Sequence, residues 1–146
     1  VVLVWGFIND IFRSEPNRVV EATERTQANL AALVERIRSI GARPVLATEV
    51  TLPLYVSWDQ RVVHVLYPLI GRTTYPTYVN DHVERVNAWL RDYAEQQAIP
   101  LLDLAAALTD DTGGRAARYT LPDGSHLNEA AYARLSDYAA RVEIPE

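Results

Sequence analysis

The stretch VVLVWGFIND, residues 1–10, decides how this chain is expected to fold. It begins with five large apolar residues, Val1 to Trp5, that show no polar alternation. That pattern is typical of a strand covered on both faces in a parallel sheet. Such a strand normally has neighbours on each side, so we predict a central strand at residues 1–5 and expect that earlier strands of the same domain lie upstream of residue 1.

The rest of the chain alternates between predicted helices and strands, which predicts a parallel α/β sheet with right-handed crossovers. Gly6 to Asn17 is predicted to be a loop after the first strand. A long helix is predicted from about Arg18 to Ile40, with Gly41 as its stop signal. Its apolar face is predicted from positions three or four residues apart: Val19, Thr23, Thr26, Leu30, Leu33, Ile37 and Ile40. RPVLATEV, residues 43–50, is the second predicted strand.

The second half of the chain repeats this alternation. An aromatic segment from Leu52 to about Tyr78 is predicted to be a long loop. A helix follows whose apolar face comprises Val79, Val83, Val86, Leu90 and Tyr93. IPLLDL (99–104) is the third predicted strand, Gly113-Gly114 belongs to a flexible loop, and a last helix covers about 129–142 with Asn128 as its N-cap.

Composition limits the possible functions. A length of 146 residues suits a single domain over 1–146, and the net charge of −5 argues against a nucleic-acid partner. The absence of Cys excludes thiol catalysis and disulfides. No apolar run is long enough to span a membrane. His64 and His82 have no ligand-like spacing to acids, so we expect no metal and no cofactor.

Two motifs are expected at the same edge of the sheet, where ligands bind in parallel α/β folds. Asn9 and Asp10 follow the first strand, and DGSHLN, residues 123–128, follows the third. In an Asp-x-x-His loop the carboxylate can accept the Nδ1–H of the imidazole, which leaves Nε2 free as a general base. An Asn amide can donate to a developing oxyanion. Each motif alone is weak, since Asn-Asp is also common turn chemistry.

Together, GFIND (6–10) and DGSHLNEAAYARL (123–135) resemble the SGNH, or GDSL-type, serine hydrolases. The resemblance covers the chain from Val1 to about Val142. It implies a flavodoxin-like three-layer α/β/α sandwich of which this chain holds the last three of five strands, in the order 2-1-3-4-5. The domain would thus be truncated at its N-terminus.

The resemblance assigns a role to each motif residue. His126 would be the general base, Asp123 its orienting carboxylate and Asn9 an oxyanion-hole donor, with Gly6 and Asp10 supporting the site. Gly6 stands three residues before Asn9, where the family usually has two. The Gly-Asp-Ser block that carries the family's nucleophile is absent, so the nucleophile would not be in this chain. The chain's own serines lack a supporting motif: Ser14, Ser39, Ser57, Ser125 and Ser136.

The expected function is hydrolysis of carboxylic esters through an acyl-serine intermediate, once the nucleophile is supplied. The chain as given is expected to be inactive. Lipid esters, thioesters and O-acetylated carbohydrates all remain possible substrates, and O-acyl transfer on the same fold is an alternative. A non-catalytic α/β binding domain is a further alternative. The sequence leaves localisation and oligomeric state open.

Overall fold

A computed structural model describes residues 1–144 of the chain. Its sheet has three parallel strands, β1 (Val2–Val4), β2 (Pro44–Ala47) and β3 (Leu101–Leu102), in the order β1-β2-β3. Leu3 lies opposite Val45 on one side of β2, and Leu46 lies opposite Leu101 on the other. This is the predicted parallel α/β architecture, with strands shorter than the sequence pattern indicated.

Six helices surround the sheet in the described part of the chain. They are α1 (Ile8–Phe12), α2 (Val19–Ser39), α3 (Trp58–Leu66), α4 (Tyr75–Gln96), α5 (Leu104–Leu108) and α6 (Glu129–Ala139). Three 3₁₀ turns lie between them: Pro16–Arg18, Tyr67–Ile70 and Ala117–Tyr119. Asn128 is the N-cap of α6, as predicted, because its side chain accepts the N–H of Ala131 at 3.0 Å.

Side chains on the two faces of β2 enter two separate cores. Leu46 packs with residues of α2 and α4, including Val34, Val83, Val86 and Leu90. Val45 and Ala47 point the other way and pack with residues of α5 and α6, including Leu108 and Leu135. Because β2 is buried on both faces, the fold has the three layers α/β/α that the family resemblance implied.

Two segments predicted as loops contain helices. The loop predicted after the first strand holds α1, and the segment 52–78 holds α3. No residue of α3 is buried. Because α3 does not pack into the core, it has no buried apolar face of the kind that α2 and α4 have.

The apolar face of α2 differs from the prediction at two positions. Leu33 is 49% exposed and Ile40 is 65% exposed, whereas Val34 is fully buried. The face continues from Leu30 by a step of four residues to Val34, because a step of three would rotate the side chain away from the sheet. The last helix also ends at Ala139, earlier than the predicted residue 142.

β1 lies at an edge of the sheet formed by residues 1–144, where it pairs with β2 alone. Leu3 is 50% exposed and Val1 is 71% exposed. The prediction that upstream strands cover this edge therefore stays a prediction. Over the same residues, no helix combines the length and apolar character needed to cross a membrane.

Candidate active site

The candidate site lies at the carboxyl edge of the sheet. Since β1, β2 and β3 are parallel, the segments that follow them leave the sheet at the same edge. Residues 5–12 follow β1, residues 48–57 follow β2, and residues 103–128 follow β3. The fold thus brings the two sequence motifs to one edge, although more than a hundred residues separate them.

Asp123 and His126 form a compact hydrogen-bonded turn. Oδ2 of Asp123 lies 2.7 Å from Nδ1 of His126. Oδ1 accepts the backbone N–H groups of Ser125 at 2.8 Å and His126 at 3.0 Å. Gly124 has φ = +79°, a conformation that a side chain would disfavour, and this lets the chain turn back within the motif. Leu121 N–H closes the turn on the carbonyl of His126 at 2.9 Å.

These contacts favour the ionised form of Asp123. The backbone N–H groups of His126 and Ser125, together with the imidazole of His126, hold the pKa of the Asp123 carboxyl well below its usual range. The side chain of His126 is 77% exposed, and Nδ1 is the ring nitrogen that contacts the carboxylate. An imidazole held in this way presents Nε2 to solvent, where it can take up a proton from a reacting group.

Ser125 lies on the wrong side of the imidazole to act as a nucleophile. Its Oγ is 3.3 Å from Nδ1 of His126 and 3.3 Å from Oδ1 of Asp123. A nucleophile activated by His126 has to reach Nε2 instead. In this structure the Ser125 hydroxyl contacts Nδ1, and the expectation that the nucleophile lies outside this chain stays a prediction.

Asn9 is the second residue of α1 and is exposed. No hydrogen bond of its side-chain amide is found among residues 1–144. Its neighbour Asp10 is held in place, since Oδ2 accepts the hydroxyl of Thr26 at 2.9 Å. Gly6 has φ = +113°, so the turn between β1 and α1 uses a backbone conformation that favours glycine. Asn9 is therefore an unpaired donor on a fixed support.

Glu49 is a residue of this edge that the sequence analysis missed. It follows β2 and is 7% exposed. Oε2 accepts the N–H of Phe7 at 2.9 Å and of Ile8 at 3.4 Å, and Oε1 accepts the N–H of Val50 at 3.1 Å. Burial raises the pKa of the Glu49 carboxyl, while these N–H groups and the charge of Arg115 act in the opposite direction. The carboxylate thus holds the segment that carries Asn9.

Two asparagines of α4 hold the segment after β2. The side-chain amide of Asn87 binds both backbone polar groups of Glu49. Its Oδ1 accepts the Glu49 N–H at 2.8 Å, and its Nδ2 donates to the Glu49 carbonyl at 2.9 Å. Asn80, two helical turns earlier, makes the same pair of bonds to Leu52 at 2.7 Å and 2.8 Å. These side chains therefore satisfy the backbone groups of Glu49 and Leu52 beyond the end of β2 at Ala47.

Arg115 is the second residue that the sequence analysis missed. It is 3% exposed, and burial lowers its pKa to about 10. Nη2 donates to the carbonyl of Ser125 at 2.7 Å, and Nε donates to Oγ1 of Thr120 at 3.1 Å. Its backbone N–H donates to the carbonyl of Leu52 at 3.2 Å. Arg115 therefore joins the Asp123–His126 turn to the segment after β2.

The Gly113-Gly114 pair has a packing role that the prediction of a flexible loop did not include. A Cβ on Gly114 would lie 2.9 Å from the carbonyl oxygen of Leu52 and 3.2 Å from the backbone nitrogen of Leu54. Only glycine permits this close approach.

A largely apolar cleft of about 280 Å³ opens beside Gly124. Its walls come from the segment after β2, from α3 and from the start of α4. They comprise Pro53, Leu54, Val56, Asp59, Gln60, Val63, Thr74 and Pro76. Gln60 and Thr74 already hold backbone N–H groups, those of Val56 and Thr77. The cleft therefore offers mainly apolar surface within two residues of His126.

No metal-type cluster is present in the described chain: no group of three or more His, Asp or Glu side chains between residues 1 and 144 could hold an ion. His64 lies near Tyr55 and Thr77, and His82 packs edge-on against Tyr78. Neither contacts the Asp123–His126 turn.

This chain is a parallel α/β sandwich with the Asp123–His126 turn at the carboxyl edge of its sheet. The family model described as GDSL-like Lipase/Acylhydrolase matches residues 1–134. The chain belongs to that family, as the sequence motifs had indicated. No curated protein matches it significantly.

Solved structures share the fold. A protein of the G-D-S-L family from Desulfitobacterium hafniense DCB-2 superposes with a TM-score of 0.67 at 19% identity, covering 95% of this chain and 62% of its own. A GDSL-like lipase from Bacteroides thetaiotaomicron VPI-5482 gives 0.59 at 16% identity, covering 88% of this chain and 58% of its own. At these identities the likeness establishes the fold, and this chain spans about three-fifths of their length.

Proposed function

We propose that this chain is the part of a carboxylic-ester hydrolase that supplies the general base and one oxyanion donor. The observation that carries the proposal is the 2.7 Å contact between Oδ2 of Asp123 and Nδ1 of His126, which leaves Nε2 exposed. Membership of the GDSL-like lipase/acylhydrolase family supports hydrolase chemistry.

In this reaction His126 takes the proton from a serine hydroxyl as the serine attacks the ester carbonyl, and it then gives the proton to the leaving alcohol. Asp123 orients the imidazole and stabilises the imidazolium that forms. The free amide of Asn9 donates to the oxyanion of the tetrahedral intermediate. Water repeats the sequence on the acyl-serine and releases the acid.

We place the serine nucleophile upstream of residue 1. Ser125 faces Nδ1, not Nε2, and the other serines of the chain do not contact His126. The partner of this chain in catalysis is then the N-terminal part of the same domain. Its strands would pair with the exposed edge of β1.

The substrate we propose is an ester whose acyl group is apolar. The cleft beside Gly124 supports this, because its walls are mainly apolar, with Asp59 as the charged residue of the lining. Hydrolysis rather than acyl transfer is the reaction to be tested first.

The test compares residues 1–146 with the protein extended upstream through its Gly-Asp-Ser segment, using 4-nitrophenyl acetate and butyrate. We expect turnover by the extended protein alone. His126→Ala should reduce its kcat by a factor on the order of 10⁶, as loss of a triad member does in a well-studied serine hydrolase.

His64→Ala is the matched control, since His64 lies outside the turn, and it should retain activity within a few-fold. Turnover by residues 1–146 that depends on His126 would refute the upstream serine. An extended protein that has the Gly-Asp-Ser segment but hydrolyses no ester would favour an acyltransferase or a binding domain.

A further inference from the structure

We propose that Glu49 and Arg115 are positioning residues that set the placement of Asn9 relative to His126. Glu49 holds the segment of the proposed oxyanion donor, and Arg115 holds the turn of the proposed base. This inference rests on the proposed function, because the placement matters for catalysis only if both groups act on one substrate.

Glu49 and Arg115 connect the Asn9 segment to the Asp123–His126 turn. On the Asn9 side, Glu49 places a buried carboxylate beside the start of α1. It accepts two consecutive backbone N–H groups, those of Phe7 and Ile8, immediately before Asn9. A Cβ on Gly6 would lie 3.9 Å from Oε2, an ordinary van der Waals distance, so the carboxylate lies beside this turn. Through these contacts the position of Asn9 depends on a residue 40 positions later in the chain.

On the other side, Arg115 contacts the Asp123–His126 turn, which carries the proposed base. Its guanidinium spans the turn, because Nε binds Oγ1 of Thr120 before the motif and Nη2 binds the Ser125 carbonyl within it. One planar group thus fixes both ends of the loop that presents His126. Its backbone is anchored at Leu52, three residues after Glu49.

Glu49 and Arg115 are opposite charges in one buried region. They are 7% and 3% exposed, and the charge of each favours the ionised form of the other. Buried charges are costly unless they are paired and hydrogen-bonded, so loss of one leaves the other poorly compensated. Neither is open to solvent, so neither is placed to touch a substrate.

A purely structural pair would affect stability throughout the domain, whereas a positioning pair affects the two segments it joins. The variants that separate these roles are Glu49→Gln and Arg115→Lys. The amide introduced by Glu49→Gln keeps the shape of the side chain, but its NH₂ meets N–H donors on at least one side. The ammonium introduced by Arg115→Lys keeps the positive charge but cannot donate in the planar geometry that reaches two acceptors.

The experiment measures hydrogen–deuterium exchange by mass spectrometry and the kinetics of ester hydrolysis. Both are measured in the full-length protein, which is the chain extended upstream through the Gly-Asp-Ser segment. In Glu49→Gln we expect exchange at residues 7–9 to be at least about tenfold faster, with the α4 peptides unchanged. In Arg115→Lys the same change is expected at residues 120–126. In both variants kcat should fall by about 10–100-fold with KM within about threefold, since a misplacement of 1 Å can cost about 10².

Glu35→Gln is the matched control. Glu35 lies on α2, accepts from Arg38 at the surface, and does not contact either loop. It should leave local exchange and kcat unchanged. The double variant should lose no more kcat than the worse single variant, because both interrupt one connection.

Failure of this inference is distinguishable from failure of the proposed function. If the wild-type protein hydrolyses esters while Glu49→Gln and Arg115→Lys leave kcat within twofold, the positioning role is overturned and the hydrolase stands. If exchange rises throughout the domain together, the pair is structural and the inference is again overturned. If no ester is hydrolysed but exchange rises only in the two segments, the connection is supported and the function is refuted.

Discussion

The carboxylate of Asp123 lies 2.7 Å from the imidazole nitrogen Nδ1 of His126, and the backbone of the same turn holds that carboxylate in place. The pair therefore does not depend on a distant aspartate to orient the histidine. Both residues come from one turn of four residues, so the orientation survives as long as the turn does.

The first prediction concerns Asp123→Asn in the full-length protein. The substitution removes the charge that orients and stabilises the imidazolium, so kcat should fall by a factor on the order of 10⁴, as in the Ser-His-Asp template. Steady-state kinetics with 4-nitrophenyl butyrate measure it. Asp92→Asn, an exposed change on α4, is the control and should have no effect.

The second prediction concerns Asn9. Asn9→Ala removes the free amide that we assign to the oxyanion, so kcat should fall by about 10²–10³ with little change in KM. Asn17→Ala, an exposed change in the 3₁₀ turn before α2, is the matched control. Equal activity of the two variants would rule out Asn9 as the donor.

The third prediction concerns stability against pH. The pKa of Asp123 is lowered in the folded protein, so its contribution to stability is present above about pH 4 and is lost as the pH falls through the folded pKa. The pKa of Glu49 is raised by burial, so its contribution is present below about pH 4.3 and is lost as the pH rises through the folded pKa.

Urea unfolding between pH 2 and pH 8 tests both signs. The stability of wild type relative to Asp123→Asn should shrink on acidification. The stability of wild type relative to Glu49→Gln should shrink as the pH rises from about 4 towards neutral. If the free energies of unfolding of wild type and a variant change in parallel with pH, the pKa shift of the substituted residue is contradicted.

The fourth prediction concerns the two hydrogen bonds that the Asn87 side chain makes to the backbone of Glu49. Asn87→Ala leaves a buried N–H and a buried carbonyl without partners, and we expect a loss of about 2–4 kcal/mol in the free energy of unfolding. Urea denaturation measures this loss. Asn17→Ala, whose side chain is exposed, should change stability by no more than about 0.5 kcal/mol.

The fifth prediction concerns the exposed edge of β1. An apolar edge strand associates with other strands, so residues 1–146 alone should self-associate, and upstream strands should restore a monomer. Leu3→Lys should weaken the association, whereas Val20→Lys, an exposed change on α2, should not. Size-exclusion chromatography distinguishes these outcomes, and a monomeric wild-type chain of residues 1–146 would contradict the prediction.

Local sequence signals predicted the parts of the fold that depend on neighbouring residues. The unbroken apolar run before Gly6, the helical spacing from Val19 to Ile37 and the capping side chain of Asn128 each reflect interactions within one element or one turn. The Asp123–His126 pair belongs to this group, because three residues of separation are enough to bring the two side chains together.

Tertiary structure alone decided how the two motifs are held together. Glu49 and Arg115 have no local pattern that marks them, since their partners lie at Phe7, Thr120 and Ser125. The same holds for Asn87, whose partner is the backbone of Glu49 beyond the end of β2. Periodicity records which face of an element is buried, whereas the role of a buried polar side chain is set by the backbone groups that it satisfies. Those partners are known only once the strands and helices are packed.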